Sequence, residues 1–350
     1  PAGRPGGGMT PPPRTAAWAA RCLAVALAYV LTGRAGLEVP YFGAFVTLVW
    51  LPTGIAVAAL YRWGYATWPG VALGACAVNL WIGAPVPVAA GIAVGNTLGP
   101  LLAAWALRRQ RFDPAFVQRR DVITFTTVAI AAMLVPSTGG VPTLALAGLV
   151  APSDAGQAWL TWWLGDLMGL LLAGPALLAL SRRRAAVLVR SPLEFAVLLG
   201  LAVPVAVGVF LAPASYLLPP PLVLVPFVVV AWAAFRFGVL GTTLTTLGLA
   251  TAAALGVARG LGPFLVDDVA GSLRLLWSYV AALVVLGLLL TALLGERRSA
   301  ERALRLQERR YQRLFDLNPQ PMWVHAMETG RFLDVNAAAI AAYGWSREEF

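Results

Sequence analysis

The sequence predicts an all-α polytopic membrane helix bundle of eight to ten spans, followed by a helical linker and an incomplete α/β module. Three observations predict it. Of the 350 residues, 59% are hydrophobic and only 12% are charged, where a soluble domain carries about 25% charge. Mean hydropathy is +0.75. The apolar residues also run in blocks close to the roughly 20 residues that cross a bilayer core, and Arg-rich or Pro/Gly-rich breaks separate them. This composition excludes a water-soluble enzyme, which could not coat its surface, and intrinsic disorder, which requires far fewer apolar residues.

Ten spans are expected: 17–32, 42–60, 67–82, 86–107, 122–149, 157–180, 193–211, 218–235, 239–257 and 275–294. The fifth is too long and is broken by Pro136, Gly139, Gly140 and Pro142, so it reads as one helix plus a re-entrant piece. The eighth and ninth are joined by almost no loop. Residues 1–16 read as a disordered tail, with Pro1–Gly8 lying ahead of Met9. Arg14 and Arg21 before Cys22–Leu31 also suit a signal peptide, but no small-x-small cleavage site follows cleanly and many spans do.

The charges test the count. All 26 basic residues are arginine and the formal net charge is +10. With the N-terminus inside, fourteen arginines fall on the inner side, in the tail, the first turns of the first span and the loops around 62, 108–120, 182–190 and 236. Arg34, Arg259 and Arg274 fall outside. This bias obeys the positive-inside rule, and an odd number of spans would spoil it. The expected location is a bacterial inner membrane, multi-pass, with both termini cytoplasmic.

Cys22 and Cys76 sit in apolar runs and His325 is the only histidine. No Cys/His cluster or triad can be assembled, so no metal, haem or other cofactor is expected, and no nucleic acid partner. Polar groups inside spans are expensive and mark candidate function; a centred Asp costs about 2.5–3.5 kcal/mol. Asp166 lies mid-span in Trp159-Leu-Thr-Trp162-Trp163-Leu-Gly165-Asp166 with no basic residue on the same helix. It must face the interior, protonated, hydrated or paired across helices. Asn79, Asn96 and Thr97 are the other candidates, weighed against a plain role in bonding helices together. Trp68, Trp81 and Trp159 read as interface anchors.

The landmarks Trp50-Leu51-Pro52-Thr53-Gly54, Trp68-Pro69-Gly70, Asn79-Leu80, Gly95-Asn96-Thr97-Leu98, Arg108-Arg109 and Trp162-Trp163-Leu164-Gly165-Asp166 fall in a characteristic order. Over residues 17–294 the chain resembles the first type of MASE domain, a bacterial membrane-associated sensor. It departs from that pattern at Gly99, where an acidic residue is common, and at Leu51-Pro52, where Pro-Pro is common. The resemblance implies a sensory input module of about eight helices and names no stimulus.

Residues 295–314 are rich in helix formers without proline. Ala300, Leu304, Gln307, Tyr311 and Leu314 recur at spacings of 4, 3, 4 and 3, a short a/d seam suited to a signalling helix in a parallel homodimer. The competing reading is a solvated basic helix near anionic lipid. From residue 315 a new pattern begins: Asn318-Pro-Gln-Pro321 breaks the helix, Met322–Ala326 and Arg331–Val335 read as strands around a turn at 328–330, Asn336 caps a helix over 337–343, and Ser346 with Glu349 forms a capping box. The series Tyr311-x-x-Leu314-Phe315, Asn318-Pro319, Val335-Asn336-Ala337-Ala338 and Tyr343-Gly344-Trp345 resembles the start of a PAS domain, expected to continue past Phe350. His325 is an ordinary strand residue in this reading.

The function expected is a membrane signal-transduction receptor in which a small molecule or protein acts on the bundle. The resemblance implies a histidine kinase output, with a diguanylate cyclase/phosphodiesterase of cyclic-di-GMP signalling as the alternative. No catalytic motif for either occurs in these residues. A transporter or channel lined by Asp166 is a third class, opposed by sparse polar lining and no visible inverted repeat. An integral-membrane enzyme is a fourth, opposed by one buried Asp without a catalytic partner.

Overall fold

The computed structural model describes residues 14–37, 40–42, 46–47, 49–213, 220–266 and 268–350. The expected tail at 1–16 falls outside them up to residue 13. The chain divides into two compact units, Pro1–Leu293 and Leu294–Phe350.

The first unit is helical. Its elements are α1 (Arg14–Leu37), the short antiparallel strands β1 (Pro40–Phe42) and β2 (Val46–Thr47), α2 (Leu51–Trp63), α3 (Trp68–Trp81), α4 (Val86–Arg109), α5 (Arg119–Ala132), α6 (Leu134–Leu146), α7 (Ala155–Ala179), α8 (Arg182–Arg190), α9 (Pro192–Phe210), α10 (Val225–Ala258) and α11 (Val269–Asp316). Each of the ten expected spans contains helix; residues 43–45 and 48 of the second and 218–219 of the eighth lie outside the described residues. Three differ from expectation. The second begins at Leu51 rather than 42, because β1 and β2 occupy the preceding chain and Pro52 opens the helix from its first turn. The fifth is two consecutive helices, α5 and α6, rather than a helix and a broken piece. The break comes at Met133, one residue after Ala132, whose carbonyl is the one Pro136 cannot serve. Gly139, Gly140 and Pro142 lie inside α6. The eighth and ninth are folded into α10, with residue Gly238 at φ 61 and ψ −153, a conformation open essentially to glycine alone.

That glycine turns the chain back on itself. Tyr279 donates to the Val223 carbonyl at 2.7 Å, and a Cβ on Gly287 would stand 2.8 Å from Val230. The part of α10 before the turn therefore runs parallel to α11. After the turn, Ala250 and Ala254 face Leu276 and Trp277, while Thr242 and Thr246 face Val284 and Leu288, so that part runs antiparallel. Among the described residues, seven helical segments are long and apolar enough to cross a membrane, with α5 and α6 counted as one and the doubled α10 as one. Helices α2 and α3, of 13 and 14 residues, are shorter than a full crossing.

The same contacts fix which ends meet. The Trp18 indole donates to Ala66 O at 2.7 Å, placing the start of α1 by the end of α2. Arg62 donates to the carbonyls of Leu177, Leu178 and Leu180 at 2.8, 3.1 and 2.5 Å, placing that end beside the end of α7. Helix α7 runs parallel to α11: Trp277 donates to Leu164 O at 2.9 Å, and further along both helices Leu171 and Leu172 line one cavity with Val284 and Leu288. The start of α1 and the Ala292 region of α11 thus share one end of the bundle. Arg108, bonded to the Leu60 and Tyr61 carbonyls, and Arg184, 2.8 Å from Ala179 O, lie at this end too. Arg34, over the Trp81 ring, and Arg274, paired with Asp268 at 3.8 Å, lie at the other.

In the second unit β3 (Trp323–His325) pairs antiparallel with β4 (Phe332–Val335), and α12 (Ala337–Tyr343) follows. Asn336 is fully buried and joins them. Its Oδ1 accepts from Met322 N and Ala339 N at 2.9 and 2.8 Å, and its Nδ2 donates to Phe315 O and Gln320 O at 3.0 and 2.8 Å. The Ser346 cap closes a turn in which Glu349 N and Phe350 N both bond Ser346 O, at 3.1 and 3.4 Å. The Ser346 N–H, 2.8 Å from the Glu349 carboxylate, holds that carboxyl below its ordinary range.

Close helix contact in the first unit rests on missing side chains. A Cβ on Gly169 of α7 would fall 1.8 Å from the Trp50 carbonyl oxygen, and one on Gly54 would fall 2.7 Å from Gly169 O. Backbone cannot yield as a side-chain tip can, so α2 and α7 meet only while both residues are glycine. Gly169→Ala should lower thermal stability in detergent by about 1–3 kcal/mol, the cost of overpacking. Gly156→Ala on the same helix, where the added Cβ meets nothing within 4 Å, should be neutral or mildly stabilising. Equal melting of both variants would reject this contact.

Candidate functional site

The α2–α7 contact brings the expensive groups together. Trp50 N donates to Gly165 O at 2.9 Å, just ahead of α2, which anchors the start of that helix to α7. The Thr53 hydroxyl then donates to Oδ1 of Asp166. Asp166 is 1% exposed, so the carboxyl faces the bundle interior, as its cost in lipid requires. The Trp162 indole, one turn earlier on α7, faces the same carboxyl. Oδ2 of Asp166 is buried without a hydrogen-bond partner.

Asn96 on α4 is 4% exposed, and its Nδ2 donates to the Tyr29 hydroxyl of α1 at 3.1 Å, while its Oδ1 is buried without a partner. The Trp50 indole donates to the same hydroxyl at 3.2 Å and its ring meets the Tyr29 ring edge-on at 6.1 Å. One polar network thus runs from Asn96 through Tyr29 and Trp50 to Gly165 and Asp166, using α1, α2, α4 and α7. Its two unpartnered oxygens, Oδ1 of Asn96 and Oδ2 of Asp166, can each accept a hydrogen bond.

Not every expected residue joins it. Asn79 donates to Ala75 O at 2.8 Å and Thr97 to Ala93 O at 2.7 Å, each bonding its own helix four residues back. Neither of these bonds crosses to another helix, so they do not tie Asn79 or Thr97 into the network. Sequence reasoning missed Tyr29 and Thr53 as partners. Thr53 lay in a motif already singled out, and a hydroxyl beside Pro52 at a helix start was the available clue. Tyr29 gave none, because one tyrosine in an apolar span looks like core.

On α11, residues 297–314 are exposed throughout, including Ala300, Leu304, Tyr311 and Leu314. Tyr311 stacks against Phe315 at 6.2 Å, and Arg297 pairs with Glu301 at 2.9 Å. Among the described residues no group of three or more His, Cys, Asp or Glu could hold a metal.

Comparison with known proteins agrees with this architecture. A family model for MASE1 matches residues 21–298, and one for a PAS domain matches residues 309–350. None of the curated proteins and none of the solved structures compared matches the chain. The first match covers the helical unit from residue 21 onward, Asp166 network included, and the second the β3–β4 hairpin and α12. The chain belongs to the MASE1 family of membrane sensor domains, joined here to the N-terminal part of a PAS domain.

Proposed function

We propose that this chain is the input of a bacterial inner-membrane receptor in which a stimulus acting on the Asp166–Thr53 contact shifts α11 and, through it, a cytoplasmic output. The observation that carries the reading is that one uninterrupted helix, α11, belongs to both units. Its Leu276, Val280, Leu283, Leu288 and Ala292 are buried in the helical core, and its Phe315 carbonyl is held by Asn336. A helix without a break carries rotation or translation along its length, which a flexible linker would dissipate.

Trp277 supports a route from the network to that helix. Its indole bonds the Leu164 carbonyl, two residues before Asp166. Asp166 and Asn96 are the stimulus-responsive residues in this reading, and Asn79 and Thr97 support their helices. Ala300, Leu304, Tyr311 and Leu314 form the relay seam of a parallel homodimer, in which paired helices give rotation a reference. The output placed first is a histidine kinase; a diguanylate cyclase is separated from it by its product. The clustering of Arg62, Arg108 and Arg184 at the bundle end that holds the start of α1 supports cytoplasmic placement of both termini.

In the full receptor, Asp166→Asn should change basal or stimulated autophosphorylation, or cyclic-di-GMP synthesis for the alternative, while membrane insertion is unchanged. Output identical to the parent across stimuli would leave Asp166 a packing residue. Insertion or deletion of one residue at Ala303 turns the seam by about 100° and should change output sharply; a flat series of insertions would remove the relay. Tags at either terminus should resist external protease in intact spheroplasts, and cleavage of one tag alone would refute the even-span topology.

A further inference from the structure

At the cytoplasm-assigned end, where Arg236 is ion-paired with Glu194, two further sets of arginines differ in what they touch. Arg62, Arg108 and Arg184 are occupied by helix-terminal carbonyls. Arg109, Arg111 and Arg120, at the α4–α5 connection, are exposed, and none has a carboxylate within ion-pair distance among the described residues. Arg120 reaches the Arg111 carbonyl at 3.5 Å, so the three guanidinium-bearing residues converge on one loop. Two carboxylates share that loop. Asp121 is buried and accepts from Asp113 N and Gln118 N at 3.1 and 3.2 Å, and Asp113 accepts from Ala115 N at 2.8 Å.

Each exposed arginine on a helix continues an apolar stripe. On α4 the exposed residues Val94, Leu98, Leu102 and Trp105 follow one another at spacings of 4, 4 and 3, and Arg109 comes four residues later on the same face. On α5 Arg120 is followed on its face by Ile123, Thr127 and Ile130. Side chains this apolar and this exposed must meet acyl chains. Trp105 marks the level of the head groups, where an indole with one apolar and one polar edge is favoured. Its Nε1 has no hydrogen-bond partner among the described residues.

The loop itself holds an arginine where a glycine is usual. Phe112 N bonds Leu107 O and Arg111 N bonds Arg108 O, both at 3.1 Å, closing α4 with Arg111 in the left-handed region at φ 52. Such closures normally place glycine at this position. The backbone strain is tolerated and an exposed arginine is kept in the loop two residues after Arg109.

We propose that Arg109, Arg111 and Arg120 form a head-group site for an anionic phospholipid, whose phosphate they bind while an acyl chain lies along the Val94–Trp105 stripe. Unpaired guanidiniums match phosphate oxygens in charge and geometry. The apolar stripe directly below them distinguishes a lipid from a free phosphate. Occupation of the site does not depend on the role given to Asp166.

The test is native mass spectrometry of the full chain released from nanodiscs containing phosphatidylcholine with phosphatidylglycerol. The parent should retain phosphatidylglycerol preferentially. Arg109→Gln/Arg111→Gln/Arg120→Gln should reduce that preference by about fivefold for each charge removed. Arg109→Lys/Arg111→Lys/Arg120→Lys should keep most of it, and Arg259→Gln/Arg274→Gln, at the other end, should leave it unchanged. An undiminished preference in the triple Gln variant overturns the site, as does equal loss in the Arg259/Arg274 variant. Displacement of the lipid by inorganic phosphate would identify a free-anion site instead and also overturn the proposal.

Discussion

A carboxyl group buried in a membrane bundle, bonded by a threonine from the facing helix, is the constraint around which the first unit is built. Asp166 could not remain at 1% exposure unless α2 came close enough for Thr53 to reach it. That approach requires Gly169 to lack a side chain where the Trp50 carbonyl sits. The hydrogen bond offsets part of the cost of placing an Asp in a span, about 2.5–3.5 kcal/mol.

The ends of the bundle solve a different problem. Helix termini leave carbonyls without partners, and in a bilayer water is scarce. Arg62 satisfies three such carbonyls at the end of α7, and Arg108 serves α2 while its guanidinium lies over the Tyr61 and Tyr65 rings at 5.5 and 4.6 Å. Arginines at this end of the bundle therefore close its helices.

Much of this was legible in the sequence because lipid leaves few choices. Apolar blocks bounded by arginine gave the helices, and the cost of an intramembrane Asp identified Asp166. The break in the fifth block was placed a few residues late, since Pro136 acts on the carbonyl four residues before it rather than on its own position. The early start assigned to the second block came from reading apolar residues as helix where the chain forms β1 and β2. The partners of Asp166 were not legible, because which helix faces which is set by glycine clefts and three-dimensional packing, not by periodicity. The PAS portion was read almost residue by residue, since turns at Asn318-Pro319 and Gly330 and the Asn336 cap are local chemistry.

The central claim is energetic coupling between Thr53 and Asp166, and a double-mutant cycle measures it directly. Unfolding free energies of the parent, Thr53→Val, Asp166→Asn and the double variant would be compared in one detergent. The account predicts a coupling of at least about 1 kcal/mol, as expected for bonded neighbours. Additive effects would contradict it and leave the α2–α7 contact as packing alone.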